Sequence, residues 1–217
     1  MKRRIPLLYI GIFLLLLYGS FSKAAEEKEP QISASAFFLA KQERVDEQTI
    51  AFVWEVPEQA YYYVIYGAEC GSKNQYKRIT AVKTASYIQK SLKKGTYYKF
   101  IVAAFDRSGK MFGVSNALHI TTDGGKAGNY RKVVMTPKTG SVTLKSGQIY
   151  QLKGKAIPIS KKKKVSVHQK LRYRSSAPSI AIVDKKGRIK AMGKGKCVVY
   201  VYAQNGVHQK ISLTVIK

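Results

Sequence analysis

With 217 residues and 45% hydrophobic side chains the chain can build one or two buried cores, which excludes a disordered polymer. Its formal net charge of +27 points by sign alone to anionic partners. Two cysteines exclude a disulfide-built scaffold, so the cores must come from apolar packing.

The chain opens with Lys2-Arg3-Arg4, an apolar run from Ile5 to Leu17 and Tyr18, and Ser22-Lys23-Ala24-Ala25. Residues 1–25 read as a signal peptide whose hydrophobic helix is cut after Ala24 or Ala25. Left uncut, the stretch to Phe21 is nearly long enough to span a bilayer and would act as a membrane anchor. No other segment is apolar enough to cross, so the remainder is expected outside the cytoplasmic membrane, secreted or on the cell envelope. Neither a Leu-Pro-x-Thr-Gly motif nor a cysteine at the cleavage site is present, and covalent wall attachment is not expected.

Residues 31–122 carry short alternating runs separated by turn signals, the pattern of an all-β sandwich. An opening strand around Ile32–Leu39 is weakly patterned. Ile50, Phe52 and Trp54 alternate, with Trp54 in the core. Tyr62, Val64 and Tyr66 read as the inward set of the next strand. Tyr61 and Tyr63 then face outward, either as rings for a carbohydrate or protein partner or packed across strands on an open sheet face. Leu92-Lys93-Lys94-Gly95-Thr96-Tyr97-Tyr98 leads into Phe100, Val102 and Ala104, which continue inward from Tyr98, and the closing strand is Ser115–Thr122. These features resemble the fibronectin type III domain. The resemblance implies a tyrosine corner over Leu92–Tyr98, although Lys94 stands where the family usually has proline. The Asp106–Gly113 loop occupies the place of the family's integrin-binding tripeptide but lacks Arg-Gly-Asp, so integrin adhesion by that route is not implied.

Residues 123–130 are glycine-rich without periodicity and read as a short flexible joint. They separate Cys70 from Cys197, so no disulfide is expected. Cys197 reads as a small core residue. Cys70, in a loop beside Gly71, reads as a free thiol or a mixed-disulfide site.

Residues 131–217 give strands at Val142–Leu144 and Ile149–Leu152, a lysine loop at Lys161–Lys164, and a strand at Leu171–Arg174. Ile180–Val183 and Arg188–Lys190 flank a tight turn that Asp184 starts through a side-chain-to-backbone hydrogen bond. Cys197, Val199, Val201 and Ala203 share an inward face. Asn205-Gly206 reads as the two positive-φ residues of a type I′ hairpin turn, after which Ile211, Leu213 and Val215 return inward. Tyr173, Ser175-Ser176, Pro178, Ile180-Ala181, Val183, Gly187, Ile189, Gly193, Gly195 and the final Val-Tyr-Val-Tyr-Ala resemble the bacterial immunoglobulin-like domain, group 2. The two resemblances together cover about 180 of the 217 residues. They imply two immunoglobulin-like β-sandwiches in tandem behind a signal helix. They also imply a cell-surface or secreted bacterial protein serving adhesion, spacing or wall association, although fold does not fix the task.

The charge is uneven. From residue 71 onward there are 32 basic residues and three acids, and from Lys126 onward 22 basic residues against Asp184 alone. Such a domain cannot neutralise itself and attracts polyanions over about one Debye length, ~8–10 Å. The candidate polyanion-binding residues are Lys161, Lys162, Lys163 and Lys164, then Arg172 and Arg174 as an outward basic stripe, then Lys185 and Lys186. The expected partners are anionic envelope polymers, such as teichoic acid or acidic glycan, or host or bacterial surface proteins. Lysine outnumbers arginine, which disfavours base-specific reading of nucleic acid. The alternative is that the lysines only solvate the surface, on a membrane-tethered structural spacer.

Catalytic groups do not converge. His119, His168 and His208 stand apart in sequence, and His-x-x-x-His, Cys-x-x-Cys and Gly-x-Ser-x-Gly are missing. Gly193-Lys194-Gly195-Lys196 lacks both the upstream glycine and the Ser or Thr of a phosphate loop. No enzyme activity, cofactor or metal site is expected.

Overall fold

Alternation writes the first sandwich, and cross-strand register decides which face of each strand is its core. A computed structural model describes residues 36–71, 73–138 and 140–217, while the expected signal helix over residues 1–25 and the first residues of the opening strand lie outside the described residues. The strands are β1 (Ala36–Phe38), β2 (Ala40–Val45), β3 (Ile50–Trp54), β4 (Tyr62–Glu69), β5 (Lys77–Val82), β6 (Ser86–Gln89), β7 (Tyr97–Phe105), β8 (Met111–Ser115) and β9 (Leu118–Thr121). One sheet runs β2-β3-β6, and the other β1-β8-β7-β4-β5 with β9 also on β7. The expected closing strand is two strands, broken at Asn116-Ala117. The buried Asn116 amide turns aside there to bracket Ala40, accepting from its N–H at 2.7 Å and donating to its carbonyl at 3.0 Å.

Ile50, Phe52, Trp54, Phe100, Val102 and Ala104 face inward as expected, with Phe52 and Phe100 ring centres 4.9 Å apart. Strand β4 corrects the expectation. Tyr63 pairs with Ala104 and Ile65 with Val102, and directly paired residues share a face, so Tyr63 and Ile65 enter the core while Tyr62 and Tyr66 lie on the other side. Tyr63 packs edge-on against Trp54 at 5.1 Å and is 3% exposed. The tyrosine corner forms without its proline: the Lys93 N–H donates to the Tyr98 hydroxyl at 2.9 Å.

The second sandwich contains β10 (Tyr130–Thr136), β11 (Ser141–Lys145), β12 (Ile149–Gln151), β13 (Lys153–Pro158), β14 (Arg172–Ser175), β15 (Ala181–Val183), β16 (Arg188–Ala191), β17 (Gly195–Tyr202) and β18 (His208–Ile216). They form the sheets β11-β18-β17-β14, β12-β16-β15 and β10-β13. The core takes Cys197, Val199, Val201, Ile211, Leu213 and Val215 from the final hairpin and Leu152, Ala181 and Ile189 from the facing strands. Asp184 holds its turn as expected, accepting from the Lys186 and Arg188 N–H groups at 2.8 and 2.9 Å. Strands β10 and β13 carry no clear alternation, and their pairing emerges only in the fold.

The final hairpin turn differs from the expected type I′ form. Gly206 alone has positive φ, at 78°, so Gln204 and Asn205 are the central pair of an ordinary turn closed by a left-handed glycine. The reason lies across the joint, for this turn is not at the surface. Gln204 and Asn205 are fully buried against the first sandwich. The Gln42 N–H donates to the Asn205 carbonyl at 2.8 Å, the His119 N–H donates to the Gln204 carbonyl at 2.7 Å, and the Asn205 amide donates to Gln42 Oε1 and the Tyr130 carbonyl. The free edges of β2 and β9 are thereby paired with the tip of the second sandwich, which removes two exposed strand edges.

A second correction is that the glycine-rich joint is tied by hydrogen bonds to both sandwiches, where its composition suggests a free tether. The Asn129 amide mimics a neighbouring strand: it accepts from the Thr121 N–H at 3.0 Å and donates to the Thr121 carbonyl at 2.8 Å. Tyr97 of the first sandwich donates its hydroxyl to the Gly128 carbonyl at 2.9 Å, and the Gly128 N–H donates to the Lys164 carbonyl. The described residues from Ala36 to Lys217 accordingly belong to one compact unit.

Candidate polyanion-binding surface

The lysine loop between β13 and β14 is pinned where the joint passes it, because the Lys164 N–H donates to the Lys126 carbonyl at 3.0 Å. Lys161, Lys162 and Lys164 project into solvent. Lys163 turns back, half-buried, and its ammonium pairs with Asp123 at 2.8 Å. Lys185 and Lys186 are exposed on the β15–β16 turn, and the one acid beside them is already engaged: Asp184 Oδ2 accepts from Arg188 Nε at 2.8 Å. Those bonds, the Arg188 side chain first, hold the Asp184 carboxyl down at about 2, so it stays charged and bound to its own turn.

Arg172 and Arg174 do not form an open stripe, a third correction. They lie on the face of β14 turned toward the first sandwich, paired across strands with Tyr202 and Tyr200. Arg172 Nη1 donates to the Ala117 carbonyl at 3.2 Å, and the Arg174 guanidinium sits 4.0 Å from the Phe37 ring centre. Phe37 lies 6.2 and 6.3 Å from the rings of Tyr200 and Tyr202. The alternation is right, but the neighbouring sandwich covers the face, which alternation within one strand cannot reveal. Arg174 is a joint residue. Arg172 is a joint residue that also reaches a groove.

That groove, about 500 Å3, opens between the edge strands β14 and β15 and is lined by Lys170, Arg172 and Lys185 around Leu171, Tyr173, Val183 and Tyr202. It unites Lys185 with Arg172 and adds Lys170, a lone lysine without a sequence signal. A second cationic groove of about 300 Å3 gathers Lys132, Lys138 and Lys210 beside Val133 and Met135. Residues so far apart in sequence meet only where β10 passes β18, so the chain alone could not display this cluster. Lys161–Lys164 stay apart from both grooves; Lys163 instead lines a cleft at the joint with Arg44, Glu43 and Asp123.

The tyrosine surface is smaller than expected. Tyr63 is in the core, and Tyr61, though 44% exposed, already has Lys83 and Arg107 over its ring at 4.9 and 5.5 Å. Cys70 closes the end of β4 half-buried, and burial pushes its thiol up to about 11, away from the reactive thiolate; both cysteines are free thiols. Among the described residues no group of three or more His, Cys, Asp or Glu side chains is placed to hold a metal.

Two histidines far apart in sequence meet at the joint. His119 of β9 and His168, whose backbone is left-handed at φ 46°, have ring centres 3.9 Å apart. Burial, then the charges of His168, Arg172 and Lys99, push His119 down to about 3, and burial with Arg172 lowers His168. Both rings are neutral in the folded state at pH 7. The unfolded chain takes up these protons first as pH falls below the ordinary histidine value of about 6.5, so both contributions are complete above that pH, and that of His119 is lost on descent toward pH 3. Between pH 7 and pH 4 we expect His119 to account for roughly 2–3 kcal/mol, about 5–10 °C in thermal midpoint. In a calorimetric pH series the His119→Gln variant should lose much less than the unaltered protein; parallel curves would sink this assignment.

Residues 132–215 match the bacterial Ig-like domain (group 2). Several solved structures are similar to part of the chain. The FN5 domain of Drosophila Lar is 26% identical, covering 42% of this chain and 99% of its own, with a TM-score of 0.35. An Fn3-like protein from Clostridium thermocellum is 21% identical, covering 42% and 97%, with a TM-score of 0.36. The fibronectin type III domain of human fibronectin type III domain containing protein 3 is 20% identical, covering 44% and 93%, with a TM-score of 0.36. No curated protein matches the chain.

Proposed function

We propose that this chain, a fibronectin type III-like sandwich followed by a bacterial Ig-like domain of group 2, is a non-catalytic accessory protein of the bacterial cell envelope. Its basic second sandwich holds it on anionic polymers such as teichoic acid or acidic glycan, and the first sandwich offers a surface to protein partners. One observation carries this reading. Of the 22 basic residues from Lys126 onward, only Lys163 and Arg188 stand in ion pairs among the described residues. Twenty cations without carboxylate partners on one small domain make a field that polymeric anions neutralise, with release of the polymer's counterions.

The test is binding of the full chain to isolated walls, with and without teichoic acid, across a salt series. Affinity should fall by about tenfold or more between about 50 and 200 mM salt, as counterion release requires, and stripping the teichoic acid should remove most of the binding. Salt-insensitive binding defeats the polyanion reading. No binding at any salt would favour the second reading, a structural spacer, which the interlocked joint supports because two sandwiches fused through a buried hairpin turn project as one stiff body.

A further inference from the structure

We infer that the groove between β14 and β15 is a subsite for an anionic saccharide: a sugar ring on its apolar floor, with a carboxylate or phosphate on the cations of its rim. The inference rests on the polyanion reading and adds to it a place and a ligand class.

The groove is not a general patch of lysine. Its floor is the half-buried Tyr173 with Leu171 and Val183, apolar and aromatic side chains that suit the C–H face of a sugar ring, and the buried Tyr202 backs it from the joint side. Its volume, about 500 Å3, lies within the ordinary range of small-ligand clefts, ~300–1,000 Å3. Three cations surround this floor, and each arrives differently. Lys170 comes from the loop after the lysine run, Arg172 from β14, and Lys185 from the β15–β16 turn.

Arg172 is the preorganised member. The Ala117 carbonyl engages one guanidinium nitrogen, Nη1, and so fixes the planar group while its other N–H donors remain for a ligand. A guanidinium held this way gives up little side-chain entropy when it meets a carboxylate or phosphate. The only acid lining the groove, Asp184, is ion-paired with Arg188 Nε at 2.8 Å, so its charge is offset within its own turn and the three rim cations stay in excess. The left-handed backbone of His168 stands at the lip, and a non-glycine residue in that conformation costs about 1–3 kcal/mol that its surroundings must support. Charge complementarity selects an anion, and the aromatic floor selects one built on rings.

Titration of the full chain with an oligogalacturonate, a ring polymer with one carboxylate per sugar, tests this, with a ring-containing sugar-phosphate polymer and ringless poly(glycerol phosphate) as parallel arms. The double variant Lys170→Ala/Lys185→Ala should lose about tenfold or more in affinity for the ring polymers, whereas Lys161→Ala/Lys162→Ala, an equal change in charge elsewhere, should lose less than about threefold. Both pairs leave the joint untouched. Tyr173→Leu, which removes the aromatic face but keeps an apolar side chain, should weaken the ring polymers and leave poly(glycerol phosphate) unchanged. Which ring polymer binds more tightly tells whether carboxylate or phosphate is the matched anion. Equal losses from the two lysine pairs, or equal dependence of ringless and ring polymers on the groove, overturn the subsite while leaving the polyanion reading standing. If no anion binds the unaltered protein, the polyanion reading itself is lost.

Discussion

Gly206→Val should uncouple the two sandwiches. Gly206 sits at φ 78° with its backbone against the first sandwich, and a Cβ added there would lie 2.0 Å from the Ala40 carbonyl, 2.7 Å from Lys41 Cα and 2.8 Å from Leu118 Cδ2. Two of those three atoms are backbone and cannot swing away. A β-branched residue adds the cost of a left-handed conformation, about 1–3 kcal/mol, to an overpacking cost of about 1–3 kcal/mol. The total, about 2–6 kcal/mol, falls first on the joint. We expect calorimetry to show two transitions in place of one, and trypsin to cut faster at the exposed Lys126, whose carbonyl the Lys164 N–H ties down in the intact joint. Gly109→Val is the matched control. Gly109 has φ 80° but meets nothing closer than the Tyr62 hydroxyl at 3.9 Å, so only the backbone cost should register. A single unshifted transition for Gly206→Val, or the same splitting in the control, would refute the interlock.

Replacing Asn129 by alanine should be nearly as costly through a different mechanism. The Asn129 side chain partners both the buried Thr121 N–H and its carbonyl across the joint, at 3.0 and 2.8 Å. Thr121 is 1% exposed, so water cannot take over either bond. Leaving a buried donor or acceptor unsatisfied costs about 1–3 kcal/mol each, so Asn129→Ala should destabilise by about 2–6 kcal/mol. Denaturant unfolding measures the loss, and hydrogen exchange locates it: the Thr121 amide should exchange faster than the amides of β3. A loss below about 0.5 kcal/mol would mean that the asparagine does not serve as a surrogate strand.

Both predictions concern contacts that join segments distant in sequence, and the same division separates what could be read from the chain. Strand alternation placed Phe52, Trp54, Phe100, Val102, Val199 and Val201 correctly, because a strand with one dry face must repeat every second residue. In β4 both alternate sets are apolar or aromatic, Tyr62-Val64-Tyr66 and Tyr63-Ile65-Gly67, so the pattern carries no preference. Only the pairing of Tyr63 with Ala104 chose between them. The Asp184 turn was legible because an Asx turn is made of neighbouring residues. The Asn205-Gly206 turn was misread because its conformation answers to Gln42, His119 and Ala40, more than 80 residues away in sequence. Glycine in the joint suggested freedom, yet Gly128 is there because the chain passes tightly by Lys163, whose Cβ would lie 2.8 Å from an added Cβ.

The candidate site divides in the same way. Composition alone shows that the chain from Lys126 onward carries 22 cations and one acid, since charge is counted without a fold. Which cations reach solvent is a matter of neighbours. The first sandwich takes Arg174 for a cation–π contact and Asp123 takes Lys163 for an ion pair, while β14 and β15 draw Lys170, Arg172 and Lys185 to one groove. The sequence by itself determined two all-β sandwiches, their core-facing residues wherever one face alone is apolar, and a basic second half. Those are properties of local periodicity and composition. Only the tertiary structure decided that the sandwiches interlock and which basic side chains remain free, because burial of an edge strand, a turn or a charged face depends on what another segment lays against it.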